Sequence, residues 1–372
     1  MVKKVSKIIA MVLLGIIATL LIIVLGYVVY LSGQYYRIKD NTTLSVYNNQ
    51  TDFVTTGKQY QISTYNIGFG AYSRDFSFFM DSGEMKDGTK VFGKGSTAKN
   101  KQTVLDNTTG VINVSKTLNS DFYLFQEVDT FGTRSHNVNQ LEMLKQINNN
   151  LAYNYAINFH SAYLMYPFND PHGANTAGVA TFSKYKINES IRRAYPIDES
   201  FPNKFFDLDR CFSVNYFELE NSEEHQLVII NSHMSAYDKG GKVRAKQLEL
   251  LNSVLTEELN KGNYVICGGD FNHDIANSVN YFKTEQKKPE WVFELSNSNL
   301  PNGFKFVSST DAPTCRSTDM PYKKGVNYTV TLDGFIVSNN ILVNNITNLV
   351  DGTNIDFEFS DHNPATMTFT LI

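Results

Sequence analysis

Hydrophobic and polar positions follow three patterns along the chain. Residues 8–31 contain no charged side chain, and this run of about two dozen residues is long enough, as a helix, to cross a hydrocarbon layer of roughly 30 Å. Residues 33–57 are polar and without clear period, and read as a stalk. Beyond Gln59 short apolar runs recur, many with period two, and predict strands at 60–66, 121–128, 178–183, 225–233, 264–272 and 329–337. Helical spacing takes over at Val104, Val111, Val114 and Leu118, through 140–151, and at Leu248, Leu251, Leu255 and Leu259.

The run at 264–272 organises the rest. It ends in Gly268-Gly269-Asp270-Phe271-Asn272, where the glycines allow a bend and a close approach. If the strand continues to Asn272, period two points Asp270 and Asn272 the same way, at the end where open α/β sheets place their sites. A strand closed by an Asx turn is the plain alternative. Residues 71–101 are rich in Gly, Ser, Lys and Asp and read as a long loop, functional or mobile. Strands alternate with helices early and the later half is more purely β, which predicts a layered α/β sandwich. There is no internal repeat, so the expected domains are an anchor at 1–32, the stalk at 33–57 and one domain at 58–372.

Composition narrows the partners. With 372 residues and 42% hydrophobic content the chain builds a sizeable core, and a net charge of -4 gives no overall reason for tight nucleic-acid binding. Three scattered cysteines suit neither a disulfide framework nor a zinc site. Lys3, Lys4 and Lys7 precede the apolar run, whereas only Arg37 and Lys39 follow it closely, beside Asp40. That bias puts the N-terminus in the cytoplasm and the bulk of the chain outside the cell membrane. The run exceeds the core of a cleaved signal peptide and lacks a small-x-small site, so an uncleaved anchor is expected. A monomer is the expected state.

The predicted strands end in, or carry, a narrow set of polar residues: Asn66, Glu127, His233, Asp270 with Asn272, and Asp333. Asp361-His362 completes the set near the C-terminus. Oxygen donors of this kind suit a hard divalent cation such as magnesium. The histidines add proton transfer or phosphate binding, provided a carboxylate such as Asp333 fixes the tautomer. Each residue alone has a plain structural explanation, as a strand-end charge, a core histidine or a turn; together they form a constellation.

The segments Thr64-Tyr65-Asn66-Ile67, Phe125-Gln126-Glu127-Val128, Ser232-His233-Met234-Ser235, Gly269-Asp270-Phe271-Asn272, Leu332-Asp333-Gly334-Phe335 and Ser360-Asp361-His362-Asn363-Pro364 resemble, in order, the motifs of the endonuclease/exonuclease/phosphatase superfamily. The resemblance implies a deoxyribonuclease-I-like four-layer α/β sandwich behind one transmembrane helix, and a magnesium-dependent phosphoester hydrolase in which manganese substitutes. It implies Glu127 as principal metal ligand, with Asn66 and Asp361 close to the metal or its waters. Asp270 would activate the attacking water and Asn272 hold a phosphate oxygen. His362, paired with Asp333, and His233 would stabilise the phosphate from two sides, His233 also serving the leaving oxygen. Arg210 and Arg244 are substrate-binding candidates, with structural ion pairs as the alternative, and Arg244 with Gln247 as a brace for the loop 235–241.

These motifs do not choose a substrate. The aromatic stretch 152–170, with Tyr153, Tyr155, Phe159, Tyr163, Tyr166 and Phe168, reads as core or as the wall of a pocket for a ring or acyl chain. Tethering outside the membrane fits lipid head groups or extracellular nucleotides better than cytoplasmic sugar phosphates. An extracellular nuclease is the alternative, with Lys86, Lys90, Lys94, Lys99 and Lys101 near Asn66. A non-catalytic tethered binding module comes third.

Overall fold

Period two in the apolar runs decides how the layers stack. In Ser222–His233, Leu227 and Ile229 enter one core while Val228 and Ile230 enter another. In Phe122–Gly132, Phe122 and Leu124 face inward and Tyr123 and Phe125 face outward. Neighbouring strand side chains take opposite faces, so each sheet is covered on both sides. The computed structural model describes residues 2–206, 209–236 and 241–372.

Among the described residues, one sheet has seven strands in the spatial order Thr42–Thr43, Glu189–Ala194, Cys211–Leu219, Ser222–His233, Tyr264–Asp270, Asp333–Ser338, Phe304–Val307. The other has six, in the order Ile341–Thr347, Ala365–Leu371, Gln59–Asn66, Phe122–Gly132, Asn175–Ser183, Ala152–His160. Ile62, Phe122, Leu124, Phe217, Ile229, Ile266, Phe335 and Met367 fill the space between the sheets. Helix Lys101–Leu118 covers the outside of the second sheet through Val111 and Val114, and helix Lys242–Asn260 covers the first through Leu251 and Leu255. The result is the expected four-layer α/β sandwich, led by the helix Val2–Gln34, which is long and apolar enough to cross a membrane.

Several expectations change in detail. Residues 33–57 are not a free stalk. Thr42–Thr43 pairs with Glu189–Ala194, Tyr47 bridges Tyr153, and Val54 is fully buried between the sheets. Single apolar side chains anchor this segment one at a time, so it shows no period. Residues 71–101 hold the hairpin Ser82–Glu84 and Lys90–Phe92 and pack Tyr72, Phe76 and Phe78 around Phe69, so the segment is built structure. The helix expected at 140–151 stops at Leu144 and tightens into a turn at Lys145–Ile147. The run at 329–337 splits: Thr329–Val330 pairs with Cys315–Arg316, and only Asp333–Ser338 joins the large sheet.

Ala152–His160, read above only as an aromatic stretch, is an edge strand with inverted polarity. Ala152, Asn154, Ala156 and Asn158 are its fully buried positions, while Tyr153, Tyr155 and Ile157 are half-buried. The buried asparagines belong to a polar layer that replaces the apolar core toward one edge of the sandwich. There Gln126 Nε2 donates to Asn231 Oδ1 at 2.8 Å, Asn231 Nδ2 to the Ala180 carbonyl at 3.0 Å, and Asn154 Nδ2 to Asn215 Oδ1 at 2.7 Å. These hydrogen bonds tie the buried amides together across the sheets, and the candidate site sits directly beyond.

Candidate active site

Three adjacent strands deliver the first half of the site. The register pairs His233 with Asp270 and Asp270 with Asp333, so the three side chains stand in a row. Gly269 makes this possible: its φ is +150°, and a Cβ there would lie 1.9 Å from the Ser232 carbonyl oxygen. The strand stops at Asp270, so period two does not carry on to Asn272. Asn272 instead adopts a left-handed φ of +49°, and its N–H donates to Asp270 Oδ1 at 2.8 Å. The Asx turn and the site are one structure, since this bond orients the Asp270 carboxylate. The Asn272 amide donates to the Met234 carbonyl at 2.8 Å.

The second sheet supplies Asn66 and Glu127. Asn66 ends its strand, and its Nδ2 donates to Asp270 Oδ2 at 3.0 Å and to Glu127 Oε1 at 3.3 Å. Glu127 lies within Phe122–Gly132, not at its end. It occupies a bulge, where pairing with Asn175–Ser183 slips between Phe125 and Val128, and its φ is +53°. A bulge re-aims a side chain, and a positive φ on a non-glycine residue is strain of the kind held at functional positions. From the C-terminal segment, Ser360 Oγ donates to the Asn66 carbonyl at 2.8 Å, locking Asp361 and His362 against the site. His362 Nδ1 donates to Asp333 Oδ2 at 2.8 Å, which presents Nε2 to Asp270 Oδ2 at 3.7 Å. His233 Nε2 lies 3.7 Å from the same oxygen and 3.9 Å from Glu127 Oε1.

The two histidines flank one carboxylate but carry opposite charge preferences. Burial disfavours the charged form of His362, but the charges of Asp333 and Asp270 and the Asp333 hydrogen bond outweigh it and hold its pKa well above the ordinary value. Burial, reinforced by Arg210, drives His233 well below the ordinary value. Near neutral pH the first is an imidazolium and the second a neutral ring. Burial raises Asp270 to about 6 against the pull of His362, a suitable value for accepting a proton at neutral pH. Burial likewise raises Asp361 to about 6 against His362, and Glu127 adds repulsion.

Four carboxylates converge here, and Asp333 Oδ1 is buried without a hydrogen-bond partner, so the donor set fits a divalent cation. Ligand atoms of Asp270, Asp333 and His362 lie within 4.8 Å of one another. Two of these residues are already joined through the Asp333–His362 bond. Glu127 and Asp361 offer further carboxylate oxygens, whereas Asn66 turns its amide nitrogen to Glu127 and Asp270 and its oxygen accepts from the Gly68 N–H at 3.0 Å.

The two arginines part company. Arg210 Nη1 lies 3.0 Å from His233 Nε2, at the rim of the site. Arg244 is buried, stacks on Phe293, and points Nη1 at the carbonyls of Asn272 and Trp291, so it braces the turn that carries Asn272. Gln247 secures Ser235 through both its amide atoms. Of the loop 235–241, residues 237–240 lie outside the described residues, as does Leu208 beside Arg210. Sequence reasoning passed over Asn158, whose amide lies 3.4 Å from His233 Nδ1, and the buried Arg134–Asp129 pair, whose guanidinium stacks on Phe69 and Phe159. Asn158 had a signal, a polar residue on the small-residue face of an edge strand, but only the pairing reveals that face as buried.

A four-layer sandwich with this cluster on one edge is a deoxyribonuclease-I-like fold with an acid- and histidine-rich phosphoesterase-type site. The model of the Endonuclease/Exonuclease/phosphatase family matches residues 63–362, and the chain belongs to that family, whose enzymes hydrolyse phosphate esters and use divalent metals. Among solved structures, the endonuclease/exonuclease/phosphatase from Beutenbergia cavernae DSM 12333 aligns with a TM-score of 0.53 at 11% identity, covering 84% of this chain and 72% of that one. D. rerio TDP2 complexed with single strand DNA product aligns with a TM-score of 0.50 at 14% identity, covering 84% of this chain and 99% of that one. At these identities the likeness is one of fold. No curated protein sequence matches the chain.

Proposed function

We propose that the chain is a membrane-tethered, magnesium-dependent phosphoesterase that cleaves its substrate by in-line attack of water, with its catalytic domain outside the cell. The observation that carries this reading is the geometry at Asp270, whose Oδ2 lies 3.7 Å from Nε2 of both His233 and His362. Asp270, oriented by Asn66 and by the Asn272 N–H, takes the proton of the attacking water. The His362 imidazolium, fixed by Asp333, holds a phosphoryl oxygen as charge develops on it. His233, braced by Arg210 and Asn158, faces the other side and, as a neutral ring, holds a phosphate oxygen through a hydrogen bond. Asn272 contributes a further donor to phosphate. Glu127, Asp361 and Asn66 would hold magnesium, or manganese in its place, and the ion supplies charge neutralisation for the phosphoryl oxygens. Catalysis in this arrangement comes from position and electrostatics, without a covalent intermediate.

A lipid head group is the favoured ester. An extracellular nuclease is the second reading; the groove of about 630 Å³ that holds Lys94 and Lys99 is also lined by Asp75, Asp170 and Asp319 and offers it no basic track. Full-length protein in lipid nanodiscs with magnesium, offered sphingomyelin, phosphoinositides, phosphomonoesters and single- and double-stranded DNA, separates the two. Hydrolysis of one lipid class with DNA left intact is the expected result. DNA cleavage alone selects the nuclease, and no turnover of any ester removes the enzymatic reading.

Topology has its own test. Protease added to intact cells should digest the catalytic domain while the cytoplasmic tip survives. A domain that resists until the cells are lysed reverses the orientation.

A further inference from the structure

The apolar helix does not leave the domain on a free tether; its last turns are docked against it. From Ile8 to Gly26 the helix rises about 28 Å at 1.5 Å per residue, roughly the hydrocarbon thickness of a bilayer. The following turns therefore stand at head-group level. There the Tyr27 hydroxyl donates to the Tyr163 carbonyl at 3.1 Å, the Met165 N–H donates to the Tyr27 oxygen at 3.2 Å, and the Tyr163 N–H donates to the Tyr30 oxygen at 3.0 Å. Leu31 is buried against Leu164 and Phe205. The loop at 161–172 and the turn at 201–206 are thus held at the membrane boundary by the helix itself.

Both segments present large apolar side chains to the outside. Phe168 is 83% exposed, Tyr166 and Phe201 64% each, and Phe206 47%. Lone exposed apolar residues need no explanation, but a cluster of aromatics beside a membrane-length helix does. Aromatic side chains favour the head-group region, where an apolar body and a polar edge are both accommodated.

The same edge carries the site. Tyr36 stacks on His160 with ring centroids 4.1 Å apart, Arg37 and His160 both grip Asp209, and the next residue, Arg210, touches His233. Asn158, two residues before His160, lies beside His233 as well. The segment leaving the membrane is therefore coupled to the catalytic rim through two residues.

We propose that the loop 161–172 and the turn 201–206 form a seat that rests on the lipid bilayer, with Phe168, Tyr166, Phe201 and Phe206 in its head-group layer, so that the site works on phosphate esters borne by that surface. The catalytic consequence rests on the phosphoesterase reading above; the seat does not.

Two measurements on the full chain in phosphatidylcholine nanodiscs test it. Phe168→Trp gains a fluorophore that phosphatidylcholine brominated near the head of its acyl chains should quench well beyond the parental chain, whose Trp291 sets the baseline. Emission indifferent to bromine overturns the seat, as does shielding of the new tryptophan by a second copy of the chain. Phe168→Ser combined with Phe201→Ser should lower hydrolysis of hexadecyl p-nitrophenyl phosphate in the bilayer by about tenfold, while soluble bis(p-nitrophenyl) phosphate is cleaved at the parental rate. Equal rates on the bilayer ester, or equal loss on both esters, overturn the orienting role. If the parental chain cleaves neither ester, the phosphoesterase reading fails and the bromine experiment still decides the seat.

Discussion

Asp333→Asn should lower the rate of phosphoester hydrolysis by roughly 10²-fold or more and move the alkaline limb of the pH–rate profile downward. Asp333 and His362 share a 2.8 Å hydrogen bond inside a fully buried pair. With the carboxylate gone, the burial that already opposes the imidazolium is no longer outweighed, and the ring loses its charge at lower pH. The sign follows from the folded pKa lying above the free value of about 6.5. The stability this histidine adds is fully present below that free value and is lost as pH rises through the folded one. His362→Ala should cost at least as much activity, and the double variant scarcely more than the worse single, because the pair acts as a unit. Additive losses in this double-mutant cycle would show that the two residues act separately and dissolve the proposed dyad.

Glu127→Gln should remove most of the activity, on the order of 10²-fold or more, with no change in thermal midpoint. The substitution keeps the shape of the side chain in its bulge, where the backbone already holds a φ of +53°. Glu127→Gly sharpens the contrast: it relieves the left-handed strain, so it should match or exceed the parental melting temperature while staying inactive. Both results would assign Glu127 to chemistry rather than folding. In parallel, EDTA should abolish hydrolysis and magnesium or manganese restore it. Undiminished turnover in chelator would leave the carboxylates at Glu127 and Asp361 without the role proposed for them.

Much of the site was legible because its residues sit on or beside regular strands. His233 and Asp270 close apolar runs whose period is plain, and Asp333 opens one; a run of that kind marks both a strand and its ends. Glu127 was also singled out, but its setting was misjudged, since a bulge leaves no trace in a hydrophobic pattern. The stalk was misjudged for a related reason: Val54 and Tyr47 each find a separate partner in the domain, and isolated contacts produce no period. In Ala152–His160 the buried positions are Ala and Asn, so the expected polarity is reversed. Asn154 lies inside because Asn215 waits across the sheets, a fact about a residue 61 positions away.

The sequence by itself determined the length and charge flanks of the apolar helix, the α/β layering, and the identity and order of the candidate residues. These depend on local patterns, and a strand or a helix declares itself within a few residues. Tertiary structure alone decided that Arg244 braces a turn while Arg210 reaches His233. It also split the aromatic stretch, packing Tyr153 and Phe159 on the sheets and leaving Tyr166 and Phe168 exposed on the loop that docks the helix. Above all it set the opposite charges of His362 and His233. A buried imidazole titrates by the sum of the charges around it, and here Asp333 and Asp270 arrive from two strands and Arg210 from the loop before a third, Cys211–Leu219, so no stretch of sequence holds that sum.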